Sequence, residues 1–113
     1  MRAVRTQVGD KLAAWCKIDS IEYERPGGIT TEDAIATARM LEAAGADAIT
    51  VTAYHDPAIG ALHSGSHTPD KPALNAPKAA AIKAAINIPV ILSGRIEVEV
   101  GDKAIGDGEA DFI

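Results

Sequence analysis

Residues 26–54, PGGITTEDAIATARMLEAAGADAITVTAY, change their hydrophobic period once, and the change divides a helix from a strand. Ile35, Ala38 and Leu41, with Ala34 and Ala44 beside them, recur at helical spacing, while Arg39 and Glu42 fall off that stripe. One side of this helix is built to be covered. Thr30, followed three residues later by Asp33, predicts a capping box at its start, and Glu32 and Asp33 suit the positive end of the helix dipole. Gly45 predicts the stop, because the residue closing a helix commonly takes a positive φ. Ala48-Ile49-Thr50-Val51 follows at once as a strand apolar enough to be buried on both faces.

The same grammar recurs on either side. Met1 to Val8 reads as the last turns of a helix stopped by Gly9, and Leu12 to Ile18 as a strand in which Trp15 and Cys16 pack into the core. Asp19 to Gly28 reads as a loop. After residue 77, Ala79, Ile82 and Ile86 space a second amphipathic helix with Pro77 in its first turn, and Pro89 opens the strand Val90-Ile91-Leu92. Ser93 to Ile96 turns off that strand, Val98 to Ile105 forms a third helix ending near Gly106 or Gly108, and Asp111-Phe112-Ile113 begins a further strand. Residues 55–77 show no period and are dense in Gly, Pro, Ser and His, which predicts a long loop at one end of the sheet.

Short apolar strands separated by helices pair in parallel through right-handed crossovers, so the fold class is α/β. Two closures suit that pattern: an open doubly wound sheet, or an arc of an eight-stranded barrel of roughly 250 residues. The length of 113 residues suits the first. A start inside a helix and a stop inside a strand suit the second, and residues 1–113 are then expected to be one partial domain.

Composition narrows the function. With 47% hydrophobic and 24% charged residues the chain has the profile of a globular domain. A net charge of −5, with 11 basic residues scattered among 16 acidic ones, argues against a nucleic-acid partner. No apolar run reaches the roughly 18 residues needed to cross a bilayer, and the first residues lack the apolar core of a signal peptide. The single cysteine, Cys16, permits neither an internal disulfide nor a thiolate metal site, which fits a cytoplasmic location. His55, His63 and His67 are metal-type side chains set in an irregular stretch rather than on one helix face, so no metal site is expected from them.

Taken in order, WCKID, PGGITTEDAIATARMLEAAGADAITVTAY, APKAAAIKAAINIPVILSGRI and AIGDGEADFI resemble the C-terminal half of the barrel in the old yellow enzyme family. These are the NADH:flavin oxidoreductases, including the 2,4-dienoyl-CoA reductase branch. The resemblance covers nearly the whole chain and implies a partial TIM (β/α)8 barrel, about its fifth to eighth strands. It implies FMN across the C-terminal mouth, NAD(P)H as electron donor, and hydride transfer through the flavin to the activated C=C bond of an unsaturated carbonyl-type substrate. Lys17 corresponds to the position of a cationic residue, usually Arg, beside the flavin pyrimidine edge; Lys keeps the charge and loses the planar fork. Ser93, Gly94 and Arg95 resemble the phosphate-binding turn after the seventh strand. Tyr54 and His55, ending a strand on the catalytic side, are the candidates for touching substrate. The family's first four strands and its second Gly-Arg phosphate segment have no counterpart here, so the chain is expected to carry about half a flavin site and to be inactive alone.

Two readings from other classes stand beside this one. A stand-alone flavodoxin-like or receiver-type domain suits the length, with Asp19 its only acidic candidate on the first strand. A non-catalytic half-barrel that pairs with another half or with its own copy suits the open strand edges such an arc would leave.

Overall fold

A computed structural model describes residues 1–55 and 72–113, and of His55 only the backbone. Within them the order of elements is α1 (Arg2–Val8), β1 (Cys16–Tyr23), α2 (Thr31–Ala43), β2 (Ile49–His55), α3 (Ala76–Lys83), β3 (Val90–Leu92) and α4 (Val98–Gly106). The strands form one parallel sheet in the order β1-β2-β3. Phe112 adds a parallel bridge to Ile91, with Leu92 N–H donating to Phe112 O at 2.9 Å and Asp111 N–H donating to Val90 O at 2.9 Å. The predicted last strand therefore starts where expected. Most of the expected loop over 55–77, with His63 and His67, lies outside the described residues.

Chain order and sheet order coincide, and the crossover helices share one side: α2 packs on β1, α3 on β3, and the two helices on each other. A doubly wound sheet reverses strand order and carries helices on both faces. The progressive order is consistent with a barrel arc, and among the described residues the sheet shows no reversal of the kind a flavodoxin-like fold requires.

The helices form for the reasons the residues suggest. Thr30 Oγ1 accepts from the Asp33 N–H at 3.2 Å while the Asp33 carboxylate accepts from the Thr30 N–H at 3.0 Å, completing the capping box. Those same bonds hold the Asp33 carboxyl below its ordinary value. Gly45 takes φ +87°, and a Cβ there would sit 3.3 Å from Arg5 Cγ, so both backbone and space favour glycine. Ala38, Ala79 and Ile82 are fully buried, as are Ile49, Val51, Val90 and Leu92 on the sheet face beneath. Small residues where the layers meet let the α2 and α3 backbones approach the sheet closely.

Two expectations are corrected. The first strand runs Cys16–Tyr23 rather than Leu12–Ile18, and Asp19 to Tyr23 belong to it rather than to a loop. Ahead of the ladder, Ala14 is tied to Asp47: the Ala14 N–H donates to the Asp47 carboxylate at 2.6 Å and the Asp47 N–H donates to Ala14 O at 2.9 Å. Arg5 completes that clamp by donating to the Asp47 carboxylate and to Gly45 O at 2.8 and 3.0 Å. Trp15, expected in the core, is 57% exposed, and Cys16 is half-buried.

The second correction concerns β2, whose expected burial on both faces is realised on one. Ile49, Val51 and Ala53 are buried, whereas Thr50 and Thr52 are half-exposed and Tyr54 is exposed. Period-two alternation, not a continuous apolar run, describes this strand.

Candidate functional site on the open sheet face

In-register pairing lines up side chains from different strands on one face. Lys17 pairs with Thr50, Thr50 with Ile91, and Ile91 with Phe112, which sets a row across the sheet on the face the helices leave uncovered. Lys17 is exposed, Thr50 and Ile91 half-exposed, and Phe112 55% exposed. One row nearer the strand C-termini, Asp19 pairs with Thr52. Lys17 and Asp19 are two residues apart on one strand and so share this face, which makes the exposed cation and the half-buried carboxyl neighbours.

Burial and the nearby Glu22 carboxylate push the Asp19 carboxyl above its ordinary value, and Lys17 pulls it part of the way back. Between Asp19 and Glu22 the register slips, and there the Ser20 hydroxyl donates to Thr52 O at 2.6 Å. Beyond the slip, Glu22 closes the loop onto α2: its carboxylate accepts from the Ile29 N–H at 2.8 Å, and its own N–H donates to Ile29 O at 2.9 Å. Gly28 packs against it so closely that a Cβ there would meet Glu22 Cβ at 2.9 Å.

All three strands end on the same side, so the turn after β3 and the Tyr54–His55 end of β2 share one rim. Gly94 and Arg95 bend this turn through successive positive φ values of +114° and +42°. Ser93 is anchored rather than free: its N–H and its hydroxyl both donate to Val51 O, at 3.1 and 3.0 Å. A second tie comes from the segment before α3, where Asn75 Nδ2 donates to Ser93 O at 3.1 Å and the Ala73 N–H donates to Arg95 O at 3.2 Å. Asn75 is 1% exposed, and its Oδ1 has no hydrogen-bond partner among the described residues.

Of the residues singled out from the sequence, Lys17 stands on the open face, Tyr54 lies four residues beyond Thr50 on that same side of β2, and Ser93, Gly94 and Arg95 sit at the rim. Lys17 is the second residue of its strand rather than its next to last, two rows below the rim. Lys17 and Ser93 are thus separated by two strand spacings and two residues along the sheet, roughly 12 Å. Thr50 and Thr52 were not singled out as site residues, and Asp19 only as the acidic candidate of a receiver-type domain, although the alternation K-x-D and T-x-T signals all three. Asn75 had no such signal, since only the fold brings it to Ser93. Lys78, at the start of α3, lies 5.1 Å over the ring of Tyr23, which ends β1. Among the described residues no cluster of His, Cys, Asp or Glu could hold a metal ion, and no helix is long and apolar enough to cross a membrane.

No family model matches the sequence, and a search of curated proteins finds no match. A solved structure described as 2-naphthoyl-CoA reductase in complex with 2-naphthoyl-CoA is similar to it, with a TM-score of 0.82 and 27% sequence identity. The match covers 98% of this chain and 17% of that one. The fold described above is therefore a segment of a larger architecture, and it is similar in sequence and in shape to a part of a reductase.

Proposed function

We propose that this chain is the C-terminal part of the barrel of an FMN-dependent NAD(P)H oxidoreductase of the ene-reductase type, acting on an unsaturated carbonyl or thioester. The observation that carries the reading is the placement of Lys17 and the Ser93–Arg95 turn. A cation stands on the uncovered sheet face, and an anion-type turn stands on the rim about 12 Å away. Such a span suits a ligand with a ring at one end and a phosphate at the other. The similarity to a reductase bound to an aromatic acyl-CoA supports the same class of reaction and of substrate.

The donor set fits a flavin mononucleotide. Bound FMN would supply the hydride relay between the nicotinamide and the C=C bond. Lys17 would stabilise negative charge at the pyrimidine edge, in a site that is dry once the arc is closed by its remaining strands. Gly94 and Arg95 would receive the phosphate: glycine permits close approach of backbone N–H groups, and the guanidinium offers paired donors. Ser93 has already given both of its donors to Val51, so its part is to anchor the turn. Tyr54, on the open side of β2 beside the rim, would face substrate. Thr50 and Thr52 give the β2 part of that face polar side chains, beside the apolar Ile91 and Phe112.

The test is to recover the native polypeptide from its source with an antibody against residues 26–40, then to measure its mass, its visible spectrum and NAD(P)H-driven reduction of an enoyl thioester. A band several times heavier than 11.7 kDa that is yellow and active is the expected result. A colourless polypeptide that takes up no added FMN would overturn the proposal.

A further inference from the structure

Asp19 is an acid that the proposed function leaves unused, on the very face that function depends on. It follows Lys17 by two residues on β1, so the two side chains leave the sheet on the same side, from Cα atoms roughly 7 Å apart. Pairing of Lys17 with Thr50 and of Asp19 with Thr52 sets them in adjacent rows of the open face, Asp19 nearer the rim. Lys17 is exposed and Asp19 half-buried, and neither side chain makes a hydrogen bond or an ion pair among the described residues.

Lys17 is the one basic residue of β1, and the neighbours on β2, Thr50 and Thr52, are neutral. Glu22, beyond the register slip, has the same sign as Asp19 and is already engaged by the Ile29 N–H and by Arg25. Burial and Glu22 raise the Asp19 carboxyl while Lys17 lowers it, so the cation and the carboxyl feel one another without touching. That coupling is reciprocal. What Lys17 contributes to keeping a proton off Asp19, the Asp19 carboxylate subtracts from the pull of Lys17 on any other anion.

We infer that Asp19 acts through Lys17: its carboxylate offsets the lysine charge and so holds bound FMN at a lower reduction potential, as a stronger hydride donor, than Lys17 alone would give. The inference rests on the flavin reading of Lys17 and adds to it a residue of opposite effect. Uptake of hydride from NAD(P)H brings two electrons and one proton to the flavin ring, a net gain of one negative charge, and leaves NAD(P)+. A cation on the open face favours that charge, and a carboxylate in the next row opposes it. Two unit charges about 7 Å apart at an effective dielectric of about 20 shift an equilibrium by more than tenfold, so the effect is large enough to measure.

Equilibrium reduction of FMN bound to the full native polypeptide, followed by its visible spectrum against a dye of known potential, tests this. Asp19→Asn and Asp19→Ser are both expected to favour reduced over oxidised FMN at least about tenfold more than the parent does, a rise of about 30 mV for a two-electron couple. Asp19→Glu, which keeps the charge, is expected to stay near the parent. Lys17→Met is expected to lower the potential, and Lys17→Met with Asp19→Asn to return it toward the parent. A potential that ignores both neutral substitutions at residue 19, or that moves equally with Asp19→Glu, would overturn this inference while leaving the proposed function in place. A parent polypeptide that binds no FMN would remove both.

Discussion

Asn75 donates from its side-chain amide to the carbonyl oxygen of Ser93, and with the Ala73 N–H to Arg95 O bond this joins the start of α3 to the turn that follows β3. The side chain is buried, so the bond is made without competition from water. Asn75→Leu removes the donor and at the same time removes the Oδ1 that has no partner, so part of the loss is offset and the expected cost is about 1 kcal/mol. Asn75→Asp keeps the shape but brings a carboxylate to a site whose one fixed neighbour is a carbonyl oxygen. Its expected cost is about 3 kcal/mol or more. Urea melts of the two variants should show that order, and the turn at Gly94 and Arg95 should lose amide-exchange protection in both.

Lys83 and Asp111 form an ion pair that fastens α3 to the start of the last strand, and the second oxygen of Asp111 accepts from the Val90 N–H at 2.9 Å. Both contacts hold the Asp111 carboxyl below its ordinary value of 3.8. A lowered value in the folded state means that the contribution is present above pH 3.8 and fades as pH falls through the lower folded value. Asp111→Asn can still accept from Val90 but cannot titrate. Its melting temperature is expected to be lower at pH 7 and to change less than the parent's between pH 5 and pH 2. The pair is about a third exposed, so solvent screens it and the charge itself is worth less than about 1 kcal/mol.

Ile82 carries α3 onto the sheet and is fully buried among Ile49, Val90 and Ile86 in one core cluster. Ile82→Ala is expected to cost roughly 2–5 kcal/mol, which is comparable with the whole stability of a chain this small. Loss of the cooperative thermal transition, read by circular dichroism, is the result to look for.

Thr30→Ala breaks the capping box at the start of α2 while leaving the buried face of that helix untouched. A cost of about 1 kcal/mol is expected. Thr30→Ser, which keeps the hydroxyl, should recover most of it in the same thermal melt.

Much of this architecture is legible locally. The helix from Thr31, its capping box, the positive φ at Gly45, the Pro77 start of α3 and the strand Val90–Leu92 are properties of a few neighbouring residues each, and the structure carries all of them. The site is legible only in its parts. Lys17 and the Ser93–Arg95 segment were read from a resemblance. Their relation to one another depends on parallel register, which short sequence windows do not encode.

What the sequence by itself determined was the type and order of elements, because capping, glycine conformation and hydrophobic period act over one or two turns of chain. What only the tertiary structure decided was where the first strand begins, which face stays open and what meets across it. Leu12 and Trp15 look like strand core, yet both are exposed ahead of β1, where Ala14 is tied to Asp47, 33 residues away. Asp19 looks like a loop residue until the pairing with Thr52 places it in the sheet. Asn75 looks like a surface turn residue until the crossover brings Ser93 above it. Each of these depends on contacts between residues far apart in the chain, and the free energy of such contacts exists only once the sheet has assembled.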